Sequence, residues 1–199
     1  MYTSITRVGS AKEISINEVH FLSRYFFISF ILLLATTGVS AQTATSVYTN
    51  LGEKSCRTLK SDTSEAGYYL GSCSGTAGYT LLLEEGDLRQ NLTVVTPRRS
   101  KHSLELWTVV SSAFSSLSMK AEWRIIKQKT KSIPVALIVR YNASEDTNNP
   151  DKTTSYLVVA KITAKEICVT DKIAPGPKAN EEARRLADEA SNKPCLQGP

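Results

Sequence analysis

Four cysteines, Cys56, Cys73, Cys168 and Cys195, constrain this chain more than any other feature, because all of them lie beyond an apolar leader that points to export. The run Tyr25–Leu34 is uncharged, Arg24 stands just before it, and Val39-Ser40-Ala41 has the small-x-small pattern a signal peptidase requires. Residues 1–41 are therefore expected to be a signal peptide cut after Ala41. The apolar stretch is too short for the roughly 20 residues that cross a bilayer, so a retained membrane anchor is the lesser reading. Export places the thiols in an oxidising compartment, where an even set of cysteines reads as a disulfide framework. Four cysteines allow three pairings. Cys56 with Cys73 and Cys168 with Cys195 is the expected one, since each pair brackets a self-contained segment at one end of the domain. Reactive or metal-binding thiols lack support: there is no C-x-x-C, and His102 is the lone histidine beyond the leader.

The chain beyond the leader is long enough for one domain with its own core. The whole chain carries 24 Lys+Arg against 19 Asp+Glu, a net charge of +5. Removing Arg7, Lys12 and Arg24 together with Glu13 and Glu18 leaves the domain mildly basic. The positive charge gathers in Arg98, Arg99 and Lys101 and in Lys127, Lys129 and Lys131, each set between apolar runs where turns belong. Export excludes nucleic acid as the partner and favours an envelope protein or an anionic envelope polymer. A membrane enters only if the signal is not cleaved, and no cofactor is expected.

Periodicity predicts a mainly β domain, an antiparallel sandwich or barrel with one carboxyl-terminal helix. Residues 42–78, rich in Ser, Thr and Gly, read as loops and short strands held by the first disulfide. Residues 79–199 form the β-rich body. Within it Tyr79–Glu84, Leu88–Thr96, Leu104–Val110 and Ala121–Lys127 read as strands, and the serines of Ser111–Lys120 favour a loop or a short helical turn. Ile133–Tyr141 and Ser155–Ala164 are apolar on both faces and should be central. The helix is expected over 180–192, with Asn180 as N-cap and Glu181 and Glu182 in its first turn. Its apolar stripe is Ala183, Leu186, Ala187 and Ala190, and Arg184 with Asp188 and Glu181 with Arg185 stand at pairing distance along it.

Each chemical motif has a plainer reading. Gly71-Ser72-Cys73-Ser74-Gly75 imitates a nucleophile elbow, but a strand-like run comes after it where that motif requires a helix. The polar connection Asn142–Asp151 could hold calcium, yet from Asp146 the sixth and twelfth places are Asp151 and Leu157, where an EF-hand needs Gly and Glu. Glu84-Glu85 and Glu145-Asp146 are sequence neighbours, which a strand sends to opposite faces. Trp107 and Trp123, expected on separate strands, are read as core. The segments ALIVRYNASED, TTSYLVVAKITAKEICVTDKI, ANEEARRLADEA and GSCSGTAGYTLLLEEGDLRQ resemble a group of exported bacterial proteins to which no activity is assigned, which implies envelope localisation and no site residue. The expected function is a non-catalytic binding, inhibitory or structural module, periplasmic or secreted. Its rival is an envelope hydrolase whose carboxylates converge only in three dimensions.

Overall fold

The computed structural model describes residues 43–64 and 67–198, so the expected signal and its cleavage point lie outside the described residues. Ten strands build one mixed sheet: β1 (Thr45–Asn50), β2 (Cys56–Asp62), β3 (Tyr68–Ser74), β4 (Thr80–Gly86), β5 (Arg89–Val95), β6 (Lys101–Ser103), β7 (Ser115–Gln128), β8 (Lys131–Ala143), β9 (Thr154–Ile162) and β10 (Ile167–Ile173). Among the described residues two α-helices accompany them, α1 (Leu106–Val109) and α2 (Ala179–Glu189), the latter followed by a 3-10 turn to Asn192.

The sheet has two antiparallel halves, β2-β3-β4-β5-β6 and β1-β7-β8-β9-β10, joined by a parallel bridge between Arg89 and Ser115. Beyond that bridge β5 and β7 part company, and the Gln90 side chain spans the gap: its Oε1 accepts from the Leu117 amide at 2.6 Å and its Nε2 donates to Glu85 at 2.6 Å. The halves enclose one core. Cys73, Leu81, Leu83, Leu92 and Val94 from the first pack with Trp123, Ile125, Leu137, Val139, Tyr141, Val158 and Ala160 from the second.

β8 and β9 are apolar on both faces because each face is covered. One set faces this core, while Ala136, Ile138, Leu157 and Val159 lie beneath Ala183, Ala187 and Ala190 of α2. Pro134, which has no N–H to give the ladder, falls where the β7–β8 register shifts. At the β10 margin the tail replaces a strand: the Leu196 amide donates to the Val169 carbonyl at 2.8 Å, beside the Cys168–Cys195 disulfide. The β2 margin carries a register shift around Leu59 and the exposed Lys60, devices that discourage edge-to-edge pairing.

Several local expectations are corrected. Leu104–Val110 is not a strand, because Glu105 adopts φ 51° and breaks the extended run. Leu104 and Leu106 drop into the core, and the Leu106 amide donates to Asn91 Oδ1 at 3.1 Å. Trp107 consequently sits on α1. Of the expected loop or short turn Ser111–Lys120, residues 115–120 instead open β7, where pairing of Ser115, Ser116 and Leu117 with β8 overrides the local preference of serine. Lys178, not Asn180, precedes the first turn of α2; Asn180 Oδ1 accepts from Arg140 at 3.3 Å. The helix ion pairs also differ. Arg184 reaches Glu122 on β7 at 2.7 Å, Asp188 takes Arg124 at 2.7 Å, and Arg185 pairs with Glu182 and Glu189.

Both disulfides have the expected local pairing, Cys56–Cys73 and Cys168–Cys195. The flanking glycines of GSCSG serve packing. A Cβ on Gly75 would stand 2.6 Å from the Tyr79 carbonyl oxygen and 2.9 Å from Trp123 Cζ2. Trp123 is fully buried, with Nε1 donating to Thr49 Oγ1 at 2.8 Å. Gly75→Ala is therefore expected to lower stability by about 2 kcal/mol through overpacking, read as a shifted urea midpoint and a change in buried-tryptophan emission.

Candidate binding surface

The outward face of the first half-sheet holds the most distinctive surface. Arg57 follows Cys56 on β2, and its cross-strand row continues through Ser72 on β3 and Leu82 on β4. The next row pairs Thr80 with Val95 and Val95 with Lys101. Between these rows and the β5–β6 turn lies a groove of about 690 Å³, lined by Arg57, Leu59, Ser72, Thr80, Leu82 and Val95, with Thr96, Pro97, Arg99 and Lys101 along the turn. Four strand spacings separate β2 from β6, about 19 Å at 4.8 Å each.

The turn is held by its own backbone. The Thr96 amide donates to the Ser100 carbonyl at 2.9 Å, the Arg99 amide to the Thr96 carbonyl at 2.9 Å, and the Ser100 amide to Thr96 Oγ1 at 3.2 Å. Arg99 occupies φ 68°, a left-handed conformation unfavourable by about 1–2 kcal/mol for a side-chain-bearing residue. Arg57, Arg99 and Lys101 have no side-chain hydrogen bond or ion pair with the described residues. Three cations thus share a groove whose remaining walls are hydroxyl and aliphatic.

The six basic residues expected as a possible binding surface belong to two separate turns. Arg99 and Lys101 line the groove, whereas Arg98 does not. Lys127, Lys129 and Lys131 belong to the β7–β8 hairpin, where Lys127 Nζ donates to Ser132 Oγ at 2.8 Å. Because β5 and β7 run in the same direction from their bridge, the turns that follow them leave from the same end of the domain. Arg57 escapes sequence inspection: a lone arginine beside a cysteine gives no cluster signal, and only pairing across three strands brings it to Arg99 and Lys101.

Other candidates resolve into structure. The carboxylate Glu84 accepts from Tyr68 Oη at 3.0 Å on one face, while Glu85 accepts from Gln90 on the other. In the β8–β9 connection Asp146 Oδ1 accepts from the Asn148 amide at 3.1 Å, and Glu145 accepts from Tyr156 Oη at 2.7 Å. Burial opposes the charge of Glu145, but hydrogen bonds from Tyr156, Ser111 and Thr154 outweigh it and hold the carboxyl below its ordinary range. Among the described residues, the group with metal-ligand spacing is Glu166, Cys168 and Cys195, and both sulfurs are committed to their disulfide. Trp107 lines a second depression of about 540 Å³ with Tyr68, Glu84 and Arg89.

Fold and surface together define a disulfide-stapled, mainly β domain with a cationic groove on one outer face. No protein-family model, curated protein or solved structure matches the chain. No helix among the described residues is long and apolar enough to cross a membrane.

Proposed function

We propose that this is an exported, non-catalytic binding module of the bacterial envelope, periplasmic or secreted, whose partner is anionic. The observation that carries the reading is the convergence of Arg57, Arg99 and Lys101 on one groove without a carboxylate to neutralise them. With no carboxylate among the lining residues, an anion seated in the groove gains attraction from each cation without displacing an existing partner. The two disulfides fit an oxidising compartment. The hydrolase reading requires facing carboxylates, whereas this groove presents cations and hydroxyls.

The test is retention of the protein, purified from an exporting host, on dextran sulfate against neutral dextran, together with sedimentation with anionic vesicles. Binding to at least one anionic probe is expected, falling steeply as salt shortens the screening length from about 10 Å at 0.1 M towards 3 Å at 1 M. Absence of binding to both at low salt would end the proposal.

A further inference from the structure

Resting on that reading, we propose that the groove takes an anionic lipid at a bilayer surface, the acidic headgroup between Arg57, Arg99 and Lys101 and its apolar portion against Leu59, Leu82 and Val95. A bare polyanion would use the three cations and the hydroxyls of Ser72, Thr80 and Thr96, and would leave the aliphatic half of the groove unused. Leu59 projects where the β2–β3 register shifts and is 42% exposed, a large apolar side chain left at the groove rim. Cationic heads beside the exposed Leu59 and the half-buried Leu82 match an amphiphile, whose binding sums apolar burial with attraction to acidic headgroups.

The surroundings favour a bilayer over a lipid taken up alone. The β7–β8 hairpin, with Lys127, Lys129 and Lys131, leaves the same end of the domain as the β5–β6 turn. β1 begins there too: Thr45 pairs with Ile125, two positions short of Lys127, and Thr43 just before it is exposed. A flat anionic surface can meet several turn tips at once, while a single soluble anion cannot.

The experiment is vesicle sedimentation with the protein purified from an exporting host. Vesicles containing phosphatidylglycerol in phosphatidylcholine are compared with pure phosphatidylcholine, and inorganic phosphate and dextran sulfate serve as competitors. Binding is expected to the anionic vesicles alone. The variant Arg57→Gln/Arg99→Gly/Lys101→Gln should lose roughly 100-fold in affinity, at about fivefold per cation. Leu59→Asn should weaken vesicle binding while leaving retention on dextran sulfate unchanged. Lys127→Gln/Lys129→Gln/Lys131→Gln should cost less than the groove variant. All these positions are exposed or at the groove wall, and unchanged Trp123 emission checks the fold. Retention on dextran sulfate without vesicle binding would overturn the lipid proposal and leave the anionic-partner reading standing. Failure of both would end both. Equal losses in the groove and hairpin variants, or indifference to Leu59→Asn, would show diffuse charge attraction and also overturn the lipid site.

Discussion

Alanine at both Cys168 and Cys195 is expected to lower stability by about 3.5 kcal/mol, and alanine at both Cys56 and Cys73 by about 3 kcal/mol. These values come from loop closure over sequence separations of 27 and 17 residues. Together they fall within the 5–15 kcal/mol that typically separates folded from unfolded domains, so full reduction should unfold much of the population near physiological temperature. The two staples should differ in local consequence. Cys56–Cys73 ties β2 to β3, which remain paired along the ladder. Cys168–Cys195 holds a tail with few other anchors: the Leu196 amide on Val169, the Lys193 carbonyl accepting from Lys161 Nζ at 2.7 Å, and Lys193 Nζ on Asp171 at 2.7 Å. Losing it should expose the β10 edge, seen as faster exchange of the Leu196 amide before global unfolding. Urea midpoints and hydrogen exchange on the paired alanine variants measure both effects. A Cys168→Ala/Cys195→Ala domain as stable as the parent, with Leu196 still protected, would show that the tail docks without its staple.

Much of the sheet was legible because its signals are local. Trp123 and Ile125 alternate with Glu122 and Arg124, and the two faces of β7 divide accordingly, one to the core and one towards α2. The double-sided apolar runs of β8 and β9 identify central strands because covering both faces needs a second layer, which α2 supplies. The start of β7 was not legible: Ser115 and Ser116 become strand only because Ala143 and Asn142 lie opposite them. Glu105 was equally silent, since nothing in LELW announces a left-handed residue. The candidate groove shows the same division. Arg99 and Lys101 stand out as part of a basic turn, but Arg57 and Leu59 join them through strand pairing, a long-range fact that single-sequence patterns do not carry.

The helix charges behave in the same way, since their partners lie across the layer and not along the helix. Arg124 is 7% exposed, with Nε and Nη2 donating to the two oxygens of Asp188 at 2.7 and 2.8 Å, Nη1 to Ser46 Oγ, and Nη2 also to the Ala44 carbonyl at 2.9 Å. Glu122 beside it accepts from Arg184 Nε at 2.7 Å. One network thus fastens β1, β7 and α2, replacing apolar area that the small alanine stripe does not provide. Asp188→Ala takes the two-oxygen partner from the buried Arg124 guanidinium and leaves it Ser46, the Ala44 carbonyl and the Glu122 carboxylate at 4.0 Å. The expected loss is about 3 kcal/mol, at the low end for a broken buried pair because the Asp188 side chain is 38% exposed. Arg124→Met combined with Asp188→Leu removes both charges and should recover most of that loss, since an apolar pair needs no compensation for desolvation. Acid should weaken the same network. Burial alone would raise the Glu122 pKa, but hydrogen bonds from Arg184, Ser46 and Tyr48 and the Arg184 charge bring it below its ordinary 4.5. A depressed carboxylate stabilises the fold fully above its unfolded value and ceases to do so as pH falls through its folded value. Urea midpoints should therefore fall as pH drops below about 4.5, and Glu122→Gln should be less stable than the parent at neutral pH and flatter across that acid range. Parallel pH profiles for the parent and Glu122→Gln would assign the acid sensitivity to other carboxylates and leave the network a positional role only.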